Sequence, residues 1–204
     1  MNFKISAKLL FLILILFFFS CGGDSEDPNN RNIIDNDYFA VKDENARKFF
    51  IQSANALRND DPRRALKFLL QANKMEPNNV MILNTLGSVQ SSLGQDKNAC
   101  RNFEKALTVN DLDVTTHINY GTCLGQNGKY KQALEILQQG LSKTNKRRFE
   151  YYVLCFNLAV YNYKNGDCKQ ARNFVEQAKE CTYPNEQFKT EVEKIFEVID
   201  QNCL

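Results

Sequence analysis

Seven cysteines and one histidine, His117, are the side chains of this chain best suited to attack, ligate or cross-link. A thiol nucleophile needs a base held beside it. Cys123 stands six residues after His117, a spacing that puts the two on different sides of one helix. Neither C-x-x-C nor H-E-x-x-H occurs, and there is no Gly-rich loop to cradle a phosphate. The carboxylates are spread along polar stretches with no pair set aside for acid–base work. The expectation is a chain that is not an enzyme and takes no cofactor and no metal. Charge excludes a further class: 26 Lys and Arg against 24 Asp and Glu give a net +2, too near neutral for the basic footprint of a nucleic-acid binder.

Cys21 differs from the other six in what precedes it. Lys4 and Lys8 make a basic start, and Leu9 to Phe19 is an unbroken apolar run, then Ser20-Cys21. That run is too short to span a bilayer, which takes about 20 residues, and it has the length of a signal-peptide core. A small residue directly before Cys at the end of such a run resembles the lipobox of bacterial lipoproteins, although Phe18 and Phe19 stand where Leu and a small residue are usual. The resemblance implies that residues 1–20 are removed and that Cys21 is the lipid attachment site, acylated at the new N-terminus. An ordinary secretory signal with an incidental Cys is the other reading. Removal of Lys4 and Lys8 leaves 24 basic and 24 acidic residues. Residues 21–41, rich in Gly, Asp and Asn, then form a flexible tether, and 42–204 the folded domain. The expected location is the cell envelope, on a lipid anchor facing the periplasm or the cell surface. Gly22, rather than Asp, after the acylated Cys favours the outer membrane.

The elements that carry the remaining residues come from a repeat. Ala65, Ala99 and Ala133 are 34 apart, as are Ala72, Ala106 and Gly140, with Leu69, Phe103 and Leu137 between them. Leu86-Gly87 matches Tyr120-Gly121, and Gly94 matches Gly128, at the same period. A fourth copy follows the third after 38 residues, with Leu158-Ala159, Gly166, Ala171, Val175 and Ala178, and the extra residues fall between Ser142 and Tyr151. The pattern A-x3-F/L-x2-A puts its three residues on one helical face, where small side chains let a second helix approach. The Gly at 94, 128 and 166 separates two apolar-periodic segments and would supply the left-handed residue that ends the first helix. Together with Pro77 and Pro184 near the ends of the first and fourth copies, the pattern resembles the tetratricopeptide repeat. The resemblance covers residues 46 to about 184. It implies an all-α, right-handed superhelical solenoid of helix hairpins, about four repeats long. The amphipathic segment after it, with Phe188, Val192, Ile195, Phe196 and Ile199 on one face, reads as the C-terminal capping helix. His117 falls where the repeat has a large packing residue.

In such stacks the first helix of each copy lines a concave groove. Here that implies Asn84, Ser88 and Ser91, then Ile118, Thr122 and Gln126, then Phe156, Val160 and Tyr163. A peptide or partner helix would lie along them, anchored by Phe156 and Tyr163, unless those rings pack against the capping helix. The set that grips C-terminal carboxylates is not matched, since Asn119 and Asn157 lack their Lys and Arg partners. The expected function is protein or peptide binding at the membrane, with a subunit of an envelope assembly machine or a non-catalytic accessory to an enzyme as alternatives. Oligomeric state is open. Lys146-Arg147-Arg148, in the inserted loop, is either a solvated loop or a contact for lipid head groups or an acidic partner. The six remaining cysteines can be placed in three pairs on adjacent antiparallel helices. Cys100 and Cys123 are level about a turn near Leu112, whereas Cys155 with Cys181 and Cys168 with Cys203 are each about one helical turn off level. Free, buried thiols are the alternative.

Overall fold

A computed structural model describes residues 41–181 and 186–203, and of 186–191 the backbone only. The expected signal and nearly all of the tether, together with Pro184 and the side chain of Phe188, lie outside the described residues. Among those described there are nine helices and no strand: α1 (Glu44–Arg58), α2 (Pro62–Met75), α3 (Val80–Ser92), α4 (Asp96–Val109), α5 (Val114–Gln126), α6 (Tyr130–Leu141), α7 (Phe149–Lys164), α8 (Cys168–Lys179) and α9 (Glu186–Asn202). They pair into four hairpins, with α9 packed on the last.

Local chemistry explains where these helices start and stop. Asp43, Asp61, Asn79, Asp113 and Asp167 each accept a hydrogen bond from a backbone N–H two or three residues on, capping α1, α2, α3, α5 and α8. Gly94, Gly128 and Gly166 have φ of 72°, 76° and 85° and close the second, third and fourth hairpins. In each, the next residue donates back to the carbonyl five positions earlier: Gln95 to Gln90, Lys129 to Leu124, Asp167 to Asn162. The first hairpin lacks a Gly but has the same turn. Asp60 takes the left-handed conformation (φ 54°), and Asp61 donates to the Ala56 carbonyl at 2.9 Å.

The repeat residues build the core between the two helices of each hairpin. Ala65, Leu69 and Ala72 of α2, Ala99, Phe103 and Ala106 of α4, and Ala133, Leu137 and Gly140 of α6 are all buried. Gly87 is needed because of Phe103: a Cβ there would sit 2.6 Å from the ring. Gly121 stands in the same relation to Leu137, also at 2.6 Å. In the fourth copy the facing residue shrinks to Val175, and Ala159 takes the place of Gly. The inserted length falls between Ser142 and Tyr151, as the spacing predicts, in a longer loop (142–148) and an earlier start of α7 at Phe149. The capping face is in place, with Val192, Ile195, Phe196 and Ile199 of α9 all buried.

Candidate functional site

Successive first helices pack on one another, α3 on α5, α5 on α7 and α7 on α9, whereas second helices make no comparable contacts with each other. The first helices are therefore on the inner side of the stack, and the residues expected to line a groove are on them. Their exposure divides them. Ile118 (3%), Val160 (5%) and Phe156 (2%) are buried, as are Ser88 and Thr122. Asn84 is half-buried and turned onto the next hairpin, donating to Asp113 Oδ2 (3.0 Å) and Thr116 Oγ1 (2.6 Å). Ser91 and Tyr163 are half-buried and Gln126 is exposed, which leaves these three as the side chains of the set most open to a ligand.

Phe156 is thus corrected from anchor to core. Its ring lies 6.1 Å from that of Phe196, tilted by 51°, so α9 covers it. From Tyr151 to Asn162 α7 is buried on every side, packed mainly against α8 and α6 and also against α5 and α9. The inserted basic run is exposed, as a solvated loop would be. Lys146 pairs with Glu180, and Arg148 with Glu150 at 3.6 Å, so two of its three charges are already matched within the chain.

Of the six domain cysteines, Cys100 is bonded to Cys123 (Cα–Cα 5.6 Å) and Cys168 to Cys203 (5.2 Å). Each bridge joins a second helix to the next first helix, α4 to α5 and α8 to α9. The expected third pair is absent, and this corrects the three-bridge scheme. Cys155 and Cys181 are free. Cys181 lies beyond the end of α8 with its thiol donating to the Gln177 carbonyl, while Cys155 is fully buried on α7 and its thiol is pushed up to about 12, chiefly by that burial. The bridge also removes Cys123 as a nucleophile. His117 is a core residue, 1% exposed, with Nδ1 2.9 Å from the Asp113 carbonyl oxygen, which fixes the proton on Nδ1 in the neutral ring. Burial lowers its pKa below the ordinary 6.5.

A family profile described as tetratricopeptide repeat matches residues 82–111, the whole second hairpin apart from its first two residues. The chain is a protein of tetratricopeptide-repeat fold. A MamA double mutant superimposes with a TM-score of 0.65 at 18% identity, over 78% of this chain and 90% of that one. YrrB, described as a TPR protein with an unusual peptide-binding site, gives 0.63 at 17% identity, over 73% and 74%. Pseudomonas aeruginosa pilF gives 0.63 at 17% identity, over 78% and 73%. No curated protein sequence matches this one. At these identities the likeness is one of fold, and the tetratricopeptide solenoid is what it establishes.

Proposed function

We propose that this tetratricopeptide protein is an exported, lipid-anchored scaffold, held at the cell envelope by acylated Cys21, that binds a partner peptide or helix along its inner face. The observation that carries the reading is the inner face itself. Three first helices are held side by side, and Ser91, Gln126 and Tyr163 remain open on them while their neighbours are consumed in packing. Tyr163 is the natural anchor, because an aromatic ring contributes a large contact area at small entropic cost. The basic start, apolar run and Ser20-Cys21 step support the anchor.

Co-purification from detergent-solubilised membranes tests both halves. Wild type is expected to partition into detergent and to bring down a partner. Cys21→Ser should yield an unprocessed or soluble chain that takes up no fatty-acid analogue; continued labelling would refute the anchor. Tyr163→Ala should reduce partner recovery several-fold with the helical circular-dichroism signal unchanged. Undiminished recovery would remove the groove reading. One stoichiometric partner would mark a subunit of an envelope assembly, whereas many substoichiometric peptides would mark an adaptor.

A further inference from the structure

The first hairpin differs from the other three in what covers it. The places that Ile82, Thr85 and Val89 hold on α3 are buried, and so are their counterparts on α5 and α7. On α1, which no hairpin precedes among the described residues, Lys48, Ile51 and Asn55 hold the same places and are exposed. This end of the stack is also basic. Residues 44–75 hold seven Lys and Arg against three Asp and Glu, a net +4, whereas 149–202 hold six against nine, a net −3. Arg58, Arg63, Arg64, Lys67 and Lys74 are exposed and in no ion pair among the described residues. Of the four large apolar side chains exposed among those residues, Ile51 (53%), Leu70 (49%) and Met75 (42%) are on this hairpin. They stand among its cations: Leu70 is one helical turn from Lys67 and from Lys74, and Ile51 is two turns from Arg58. Between the helices, Arg64 and the amides of Gln52, Asn55 and Asn59 line a hollow of about 180 Å³ that no carboxylate enters. The Arg64 guanidinium lies over the Phe68 ring, 5.7 Å from its centre. Arg58 Nη1 donates to Asn55 Oδ1 at 3.1 Å, which leaves the Asn55 N–H bonds for an outside acceptor.

We propose that the first hairpin docks on an anionic phospholipid surface, with lipid phosphates on its unpaired cations and in the Arg64 hollow, and with Ile51 at the headgroup boundary. Cations alone would suit any anion. Apolar side chains set among them suit an interface that offers phosphate and acyl chain at one depth. The chain also leads there: Val41, packed with Ala46, Ala72 and Ile82 at the base of this hairpin, is 20 residues from Cys21, at most about 70 Å of extended chain. The inference rests on the reading of Cys21 as the anchor for nearness to the membrane, and on charge and apolar exposure for which end faces it. The same surface repels the net −3 of the last hairpin and α9, so docking turns that end outward.

The chain has no Trp, so Ile51→Trp gives a single fluorescent reporter in this face. The full-length protein is reconstituted into vesicles of phosphatidylcholine alone or with roughly one-third phosphatidylglycerol. Emission should move to the blue, and bromine-labelled acyl chains should quench it, in the anionic vesicles only, and about 0.5 M NaCl should reverse both. A Leu112→Trp reporter, at a site equally exposed but on the loop after α4, should not respond. Arg58→Gln, Arg64→Gln and Lys67→Gln together should lower the docked-to-undocked ratio roughly 100-fold, with the circular-dichroism signal unchanged. Inorganic phosphate or polyglutamate added to the neutral vesicles should leave the reporter as it was. The proposal is overturned if neutral vesicles give the same shift, if the triple variant keeps it, or if Leu112→Trp shifts equally. It is overturned too if phosphate or polyglutamate reproduces the shift, which would mark a free-anion site or an acidic protein partner. Fatty-acid labelling reports on Cys21 separately. A labelled chain whose reporter stays still sinks the docking alone, whereas an unlabelled chain that shifts when added to anionic vesicles upholds the docking and sinks the anchor.

Discussion

His117 occupies the place that Phe49 and Leu83 fill in the first two copies, and it is tolerated there because its Nδ1–H finds the Asp113 carbonyl. Room for it comes from Gly140, where a Cβ would approach the His117 Cβ to 2.7 Å; the earlier copies have Ala at that position. The ring is neutral in the fold, and burial is the main reason. The consequence for pH has a definite sign. Because the folded pKa lies below the unfolded 6.5, the unfolded chain binds the proton first, so the full stability is present above about pH 6.5 and declines as the solution is acidified. Urea denaturation at pH 7.5 and pH 5.5 should show this decline in wild type and a much smaller one in His117→Leu. An equal decline in the variant would place the titration elsewhere. Tyr161 is a second residue whose surroundings are built for it. Its hydroxyl donates to the Thr122 carbonyl at 3.2 Å, and a Cβ at Gly125 would fall 2.2 Å from the ring.

At the scale of helices, the two disulfides act where one hairpin meets the next. Cys168–Cys203 is the more consequential, because it ties the start of α8 to the end of α9 across 35 residues. Closing loops of this length is worth about 3 to 4 kcal/mol through the entropy of the unfolded chain. Removing the bridge with Cys168→Ser and Cys203→Ser should therefore loosen α9 first, and hydrogen exchange should speed up in α9 and around Phe156 before it does in α3 to α6. Uniform acceleration would show that α9 is not an independent unit. Peptide mapping without reductant should find the two bridges, with Cys155 and Cys181 alkylated only as thiols. Cys181, half-buried, should react before Cys155, which is buried and has its thiol pushed up to about 12. A peptide linking Cys155 to Cys181 would contradict the structure.

Across the whole of the described domain, stability is a matter of repeated apolar contacts rather than charge. The core of the first three hairpins is a trio of small, large and small residues, with Val175 in the large place in the fourth, and each hairpin touches only its neighbours. Every ion pair among the described residues has at least one partner whose side chain is half or more exposed, or nearly so, which limits each to a small contribution. Raising NaCl from about 0.05 to 0.5 M should accordingly change the unfolding free energy by less than about 1 kcal/mol. A large loss with salt would mean that a network of charges, and not the repeated core, holds the stack together.

How much of this was legible beforehand follows the range of the contacts. The 34-residue period, the Gly turns at 94, 128 and 166 and the capping face of α9 are all readable in order of sequence, because each arises within one hairpin or between adjacent ones. Asp60 was hidden, since its left-handed turn has no Gly to mark it. Phe156 could be named as an inner-face residue, but its burial depends on how α9, some 40 residues later, rotates about its own axis to place Phe196. The third cysteine pair failed for a related reason: level position counts turns of helix, whereas Cys181 falls beyond the end of α8 at Lys179, where counting turns no longer applies, and it and Cys155 are unbonded. Periodicity records which face of a helix is buried. The rotation and splay of neighbouring helices, set by side-chain packing over a few ångströms, decide what is left open on the surface.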